Sequence, residues 1–145
     1  MTNINACYVD ATTPPTGAPA FDALAAAVDY SDNCGGMVTA MLTNTSVTGD
    51  NTGWTLTYTF KVSDACGNDL LGQMIQHTGS DQGGPTALCQ DVTVELDANG
   101  NGTLLPADVD NGSSDGCGPV MLSLDNTMFD CNDLGSGGSG PAGSI

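Results

Sequence analysis

An all-β fold, made of tandem immunoglobulin-like β-sandwich units with the second one truncated, is what the sequence predicts. Three observations carry that expectation. The first is the charge inventory: seventeen residues are acidic, Glu95 is the only glutamate among them, and Lys61 is the only base. Exposed helix faces normally need Lys, Arg and Glu, whereas the Asp, Asn, Gly, Ser and Thr that dominate here favour turns, caps and strands. The second is "WTLTYTFKV", Trp54 to Val62, in which Trp, Leu, Tyr, Phe and Val alternate with Thr and Lys, the pattern of a half-buried strand. The third is a motif, Ser-Asp-x-Cys-Gly, written at Ser31, at Ser63 and at Ser114.

Taken in order, the elements follow from local composition. "FDALAAAVDY" is rich in helix-favouring alanine, yet its place between turn segments also suits an edge strand or a single helical turn. Strands are expected at "MVTAMLT" (37–43), at 54–62, at "QMIQHT" (73–78), at "DVTVEL" (91–96) and at "VMLSL" (120–124). Short strands at such spacing are the signature of a β-sandwich. Trp54 falls on the apolar face of its strand and His77 is a plain strand residue. Lys61 falls on the Thr face, away from the burial that an isopeptide crosslink would use.

The cysteines reveal an internal repeat. Cys7 and Cys34 lie 27 positions apart, Cys89 and Cys117 lie 28 apart, and the second of each pair sits in the repeated motif. This reads as a duplication of roughly 80 residues per unit, joined near the turn-rich "GSDQGGPTA". The expected division is 1–84 for the first unit, 85–134 for a partial second unit and 135–145 for a Gly/Ser-rich tail or linker. After Cys117 the second unit has no counterpart of the 54–62 strand.

A formal net charge of −16 excludes nucleic acid as a partner, since phosphates need Lys and Arg, and it disfavours anionic lipid. It favours cations. No stretch approaches the ~18 apolar residues of a membrane span, and "MTNINACYVD" lacks the basic start and apolar run of a signal peptide. Six cysteines and the sequons at Asn44, Asn101 and Asn111 fit an extracellular, cell-surface setting.

"DANGNG", Asp97 to Gly102, resembles the first half of a calcium loop, with oxygen side chains at Asp97, Asn99 and Asn101 followed by glycine. Its competing reading is a hairpin turn, because Asn-Gly is a strong turn signal. Asp108, Asp110 and Asp115 form a second oxygen cluster, and Asp29, Asp32 and Asp64 a weaker one in the first unit. Ca2+ is the cofactor these residues would suit, and catalytic residues are expected to be none. The Ser-Asp-x-Cys-Gly copies contain no Cys-x-x-Cys for a thiolate metal site, and a nucleophilic cysteine would want a histidine, of which only His77 exists. They read instead as capped turns: Asp caps, Gly supplies positive φ, Cys staples.

The stretch "PTALCQDVTVELDANGNGTLLPADVDNGSSDGCGPVMLSLDNTMFDC" resembles the HYR-like immunoglobulin-type repeats of giant surface adhesins of Bacteroidetes bacteria, and the gliding-motility adhesins are similar assemblies. The first unit looks like a more divergent member through "SDNCGG", "TLTYTFKVSDACGN" and "GGPTA". The resemblance implies immunoglobulin-like sandwiches in tandem, a spacer or adhesive role, and no catalysis. The chain departs from that pattern. Its second unit stops before the Thr-rich strand and last cysteine of a family unit, and Gly72 stands about where the family places a cysteine. The disulfides expected are Cys34–Cys66, joining two copies of the motif, and Cys117–Cys131, a short loop that the resemblance implies. Cys7 and Cys89 are left to pair with each other, to stay reduced or to bond a neighbouring molecule.

The expected function is a non-enzymatic structural or adhesive module of a surface filament, stalk or large adhesin. The unfinished second unit would expose sheet edges, and a strand from a neighbouring subunit would complete it, giving head-to-tail self-assembly. A binding module for a surface polysaccharide, another surface glycan or a host ligand is the alternative. An enzyme is the third reading, unsupported by any histidine, basic or paired-Glu constellation.

Overall fold

In the computed structural model the described residues are 1–134, so the expected tail at 135–145 lies outside them. Strands predominate and helices are few and short. The chain divides into two compact units, Met1–Gly83 and the residues from Gly84 on.

The first unit is one four-stranded sheet. Its strands are β1 (Ile4–Asn5), β2 (Thr39–Asp50), β3 (Gly53–Ser63) and β4 (Asp69–Ser80), in the order β1-β4-β3-β2. β2, β3 and β4 form an antiparallel meander, and β1 runs parallel to β4 at Gly79 and Ser80. A short helix, α1 (Ala23–Ala27), precedes β2 and is capped by Asp22, whose carboxylate accepts from the amides of Leu24 and Ala25. The ambiguous alanine-rich stretch is therefore a single helical turn with its cap.

Strand β3 organises the core. Trp54, Leu56, Tyr58, Phe60 and Val62 are all buried, and the residues between them are only partly covered. This is the period-two burial that the sequence predicts for 54–62. The buried face is covered by irregular chain from the N-terminal thirty residues rather than by a second sheet. Ile4, Ala6, Tyr8, Ala18 and Phe21 pack on Val47, Trp54, Leu56 and Tyr58, and Ala26 and Tyr30 on Phe60 and Val62. Three polar handles of that layer find acceptors, as burial requires. The Trp54 indole N–H donates to the Ala6 carbonyl at 2.8 Å, the Tyr58 hydroxyl to the Pro19 carbonyl at 2.9 Å, and the Tyr30 hydroxyl to Gln73 at 2.8 Å. Phe21 sits between Tyr58 and Phe60, with ring centroids 5.9 and 5.5 Å away.

Gly79 marks the close approach of β1 to β4. A Cβ there would collide with the Ile4 carbonyl and the Trp54 ring, so β1 can lie beside β4 only because that residue is glycine.

The opposite face of the sheet is mostly polar, with Met41 and Met74 exposed on it. The register aligns Thr48, Thr55 and Thr78 in one row, Ser46, Thr57 and Gln76 in the next, and Asn44, Thr59 and Met74 in a third.

The second unit contains β5 (Asn101–Thr103) paired with β6 (Met128–Asp130), and a four-residue helix, α2 (Pro106–Val109). Isolated bridges join Thr86 to Ser114 and Cys89 to Asp110. Among its described residues no hydrophobic side chain is buried. The strands expected at 91–96 and 120–124 are not formed. By the repeat alignment, 120–124 corresponds to the start of β2, whose partner is β3. No sequence like 54–62 follows Cys117. An extended segment without a ladder partner is not a strand, and Met121 is accordingly 99% exposed.

The two units share landmarks at a constant offset. Gly17 and Gly100 both adopt positive φ, at 87° and 82°. Six residues on, α1 begins at Ala23 and α2 at Pro106. Nine residues further, Asp32 and Asp115 each bond the amide of a cysteine two positions ahead.

Candidate functional site

The three Ser-Asp-x-Cys-Gly copies are one local structure. In each, an aspartate Oδ1 accepts the backbone N–H of the cysteine: Asp32 from Cys34 at 2.9 Å, Asp64 from Cys66 at 2.9 Å, Asp115 from Cys117 at 2.8 Å. This is an Asx turn, a side-chain imitation of a backbone turn. In the first two copies the following glycine donates to the aspartate carbonyl and takes positive φ, at Gly35 (81°) and Gly67 (88°), which only glycine adopts without cost.

"DANGN" repeats this chemistry without the cysteine. The Asp97 Oδ1 accepts from the amides of Asn99 (2.8 Å) and Asn101 (3.0 Å), while the Asp64 Oδ1 accepts from those of Cys66 and Asn68 (2.8 Å). The backbone bonds match as well. Asp97 N–H donates to Asn101 and Gly100 N–H to Asp97, just as Asp64 N–H donates to Asn68 and Gly67 N–H to Asp64. Asp-Ala-x-Gly-Asn is therefore one five-residue turn used twice, with Cys66 and Asn99 at the same position. The "DANGNG" stretch forms a tight turn, as its competing reading expected, but not a hairpin, since 91–96 is no strand and β5 pairs with β6. Val94 and Leu96 lie against β5 over Gly102, where a Cβ would press on both side chains.

The other predicted calcium ligands are committed in the same way. Asp108 accepts the Leu105 N–H at 2.9 Å at the start of α2, and Asp110 accepts the Ser113 N–H at 2.9 Å. Among the described residues Asp97, Asp108 and Asp110 do not gather into a group of three converging ligand atoms. Asp32 and Asp64 are turn-builders of the first unit, as above. The hydrogen bonds lower the pKa of Asp97 through the amides of Asn101 and Asn99, of Asp110 through Ser113, and of Asp64 through Asn68. Asp10, which accepts from the amides and hydroxyls of Thr12 and Thr13, falls to about 2.

The cysteines depart from expectation. Cys34, Cys66, Cys89 and Cys131 are free and exposed, so neither a Cys34–Cys66 nor a Cys117–Cys131 bond is formed. In the first unit Cys7 is disulfide-bonded, and in the second Cys117 is. The local geometry gives the reasons. The Cys34 thiol is turned to the Asn33 side-chain oxygen at 3.5 Å. Cys131 follows β6, whose pairing with β5 sets its sulfur beside Gly100, 3.8 Å from that carbonyl.

Two further residues are placed by the sheet. Lys61 pairs with Asp69 at 2.8 Å on the polar side, and Ser63 also donates to Asp69; the lysine's bond lowers the Asp69 pKa. His77, 9% exposed on β4, packs edge-on against Tyr58, and its Nδ1 lies 3.0 Å from the Met1 amino group. Burial, then the nearby ammonium, lowers its pKa. Sequence reasoning took His77 for a plain strand residue; its position opposite Leu56 in the buried alternation was the available signal. No family model, curated protein or solved structure matches the chain.

Proposed function

We propose that the chain is a non-enzymatic, extracellular structural or adhesive module, built of two divergent copies of an immunoglobulin-like repeat and belonging to a surface filament, stalk or large adhesin. The observation that carries this reading is the constant offset of landmarks between the units: positive-φ glycine, short helix, then an Asx turn holding a cysteine. Duplication of scaffold parts is what a repeat protein needs, and a catalytic site gains nothing from it. The use of aspartate points the same way, since the carboxylates that suggested a site are spent on turns.

Within this proposal the second unit accepts a strand from a neighbouring subunit. Its support is the exposed apolar run at Met121 and Leu122, outside any ladder. Ca2+ enters as a counter-ion to a charge of −16; a melting midpoint unchanged by chelator removes it. Light scattering and electron microscopy of the purified protein under oxidising conditions test the assembly, and a strictly monomeric solution overturns it. The alternative, a glycan-binding module, draws on the uncharged hydroxyl and amide rows of the open sheet face. Trp54, Tyr58 and Phe60 are buried on the other face, which denies that surface the aromatic platforms stacking would use.

A further inference from the structure

We propose that the first unit assembles edge to edge with a second copy of itself, the open edge of β2 in one chain pairing with the open edge of β4 in another. The proposal rests on the reading of the chain as a self-assembling structural module and names the surface that does it.

The open backbone groups can be assigned from alternation, since successive residues of an antiparallel strand point their N–H and C=O to opposite sides. On β2 the Val47 N–H points outward and is taken by the Ala11 carbonyl at 2.8 Å. The same side carries Thr45 and, past the bulge at Thr43, Leu42 and Ala40, each opposite a β3 residue of the same set as Val47's partner Leu56. On β4 the Thr78 N–H goes to Met1 and the Ser80 carbonyl to Ala6, so Gln76 and Met74 point outward as well. Among the described residues none of these five amides donates to a backbone carbonyl outside the ladders. The N-terminal segment thus hydrogen-bonds each edge at one end only. What stays open is 39–45 on β2 and 69–76 on β4, and both openings flank the same end of β3.

Each open edge carries one bulge, at Thr43 on β2 and at Leu71–Gly72 on β4, but the other devices that block pairing are sparse. Neither strand contains proline or lysine. Large apolar side chains stand exposed along them instead: Met41 and Leu42 on β2, and Leu70, Leu71 and Met74 on β4. Charge completes the case. A chain of net charge −16 repels its copies, so contact is feasible only where the surface is neutral. β2 bears no charge from Thr39 to Gly49, and β4 bears a single one, Asp69. The only base in the sequence, Lys61, neutralises it at 2.8 Å. Pairing β2 with β4 covers both apolar edges and continues the sheet head to tail, whereas a symmetric β2–β2 contact leaves the β4 edge bare.

The test uses the full chain at rising concentration in low salt and in ~1 M salt, where screening shortens to about 3 Å. Light scattering gives the association constant, and amide hydrogen exchange gives the surface. The expected result is association that strengthens with salt and brings protection to Ala40, Leu42, Thr45, Met74 and Gln76. Thr45→Pro and Gln76→Pro each remove one outward N–H and should weaken association at least tenfold. Met41→Asp and Met74→Asp provide the same test by charge, and the buried Trp54 fluorescence reports that each variant is folded. Association of unchanged strength in the folded variants, or without protection at those five amides, overturns the edge contact while leaving self-assembly standing. A wild-type chain that stays monomeric in high salt overturns both.

Discussion

Aspartate in this protein is a backbone-building residue. Asp10, Asp22, Asp32, Asp50, Asp64, Asp81, Asp97, Asp108, Asp110, Asp115, Asp130 and Asp133 each accept a main-chain N–H within four residues. The short carboxylate reaches its own chain where glutamate, one methylene longer, does not fit the turn. That accounts for a composition with one glutamate. A carboxylate whose folded pKa is depressed stabilises the fold above its ordinary pKa and loses that contribution as pH falls through the folded value. For Asp10 the window therefore runs from 3.8 down to about 2. Side-chain carboxyl NMR should find Asp10 titrating near 2 in the native protein, and an ordinary value there removes the Thr12–Thr13 cradle from the account. His77 has the opposite protonation chemistry and the same sign. Its pKa is lowered by burial and then by the ammonium, so its neutral form is the stabilising one. Stability should decline as pH drops below 6.5, and His77→Leu should flatten that decline in denaturation midpoints measured from pH 7 to 5.

Strand β3 is the element on which the first unit depends. Leu56→Ala, at a fully buried site, should cost about 2–5 kcal/mol, read as a lowered urea midpoint. The glycines give a sharper contrast within the same sheet. Gly79→Ala drives a methyl into the Ile4 carbonyl and Trp54 ring, while Gly53→Ala meets open space. The first should lower the melting temperature strongly and the second should leave it nearly unchanged; equal effects would contradict the packing of β1 on β4. Strands 54–62 and 73–78 were legible in the sequence because alternation records burial directly. The cover was not, because Ile4 lies in a two-residue strand and Ala6, Tyr8, Ala18 and Phe21 in irregular chain, with no period to read. The strands expected at 91–96 and 120–124 failed for a different reason. Local pattern states what a segment would do beside a partner, and pairing is a property of the partner. The three cysteine turns were readable as turns from Asp and Gly alone, while the bonding of the thiols was not, since Sγ placement is settled by strand register at distances the sequence does not encode.

At the scale of the molecule, apolar burial is concentrated in the first unit. Exchange protection should be greatest at Leu56, Tyr58 and Phe60, while the amides of Val92 to Leu96 and Val120 to Leu124, which lie in no ladder, should exchange close to free-chain rates. Strong protection at 120–124 in dilute monomer would show that the second unit carries an apolar core of its own. The shared Asp-Ala-x-Gly-Asn turn has a consequence for chemical ageing. Asn99–Gly100 is a sequence at which an asparagine side chain is readily attacked by the next backbone nitrogen to give a succinimide and then isoaspartate. Here the Gly100 nitrogen is already held, its N–H bound to the Asp97 carbonyl at 2.9 Å, and the Asn99 backbone N–H donates to the Asp97 carboxylate. The turn thus shelters its own most labile bond, and isoaspartate should accumulate at Asn99 far more slowly in the native protein than in the unfolded chain.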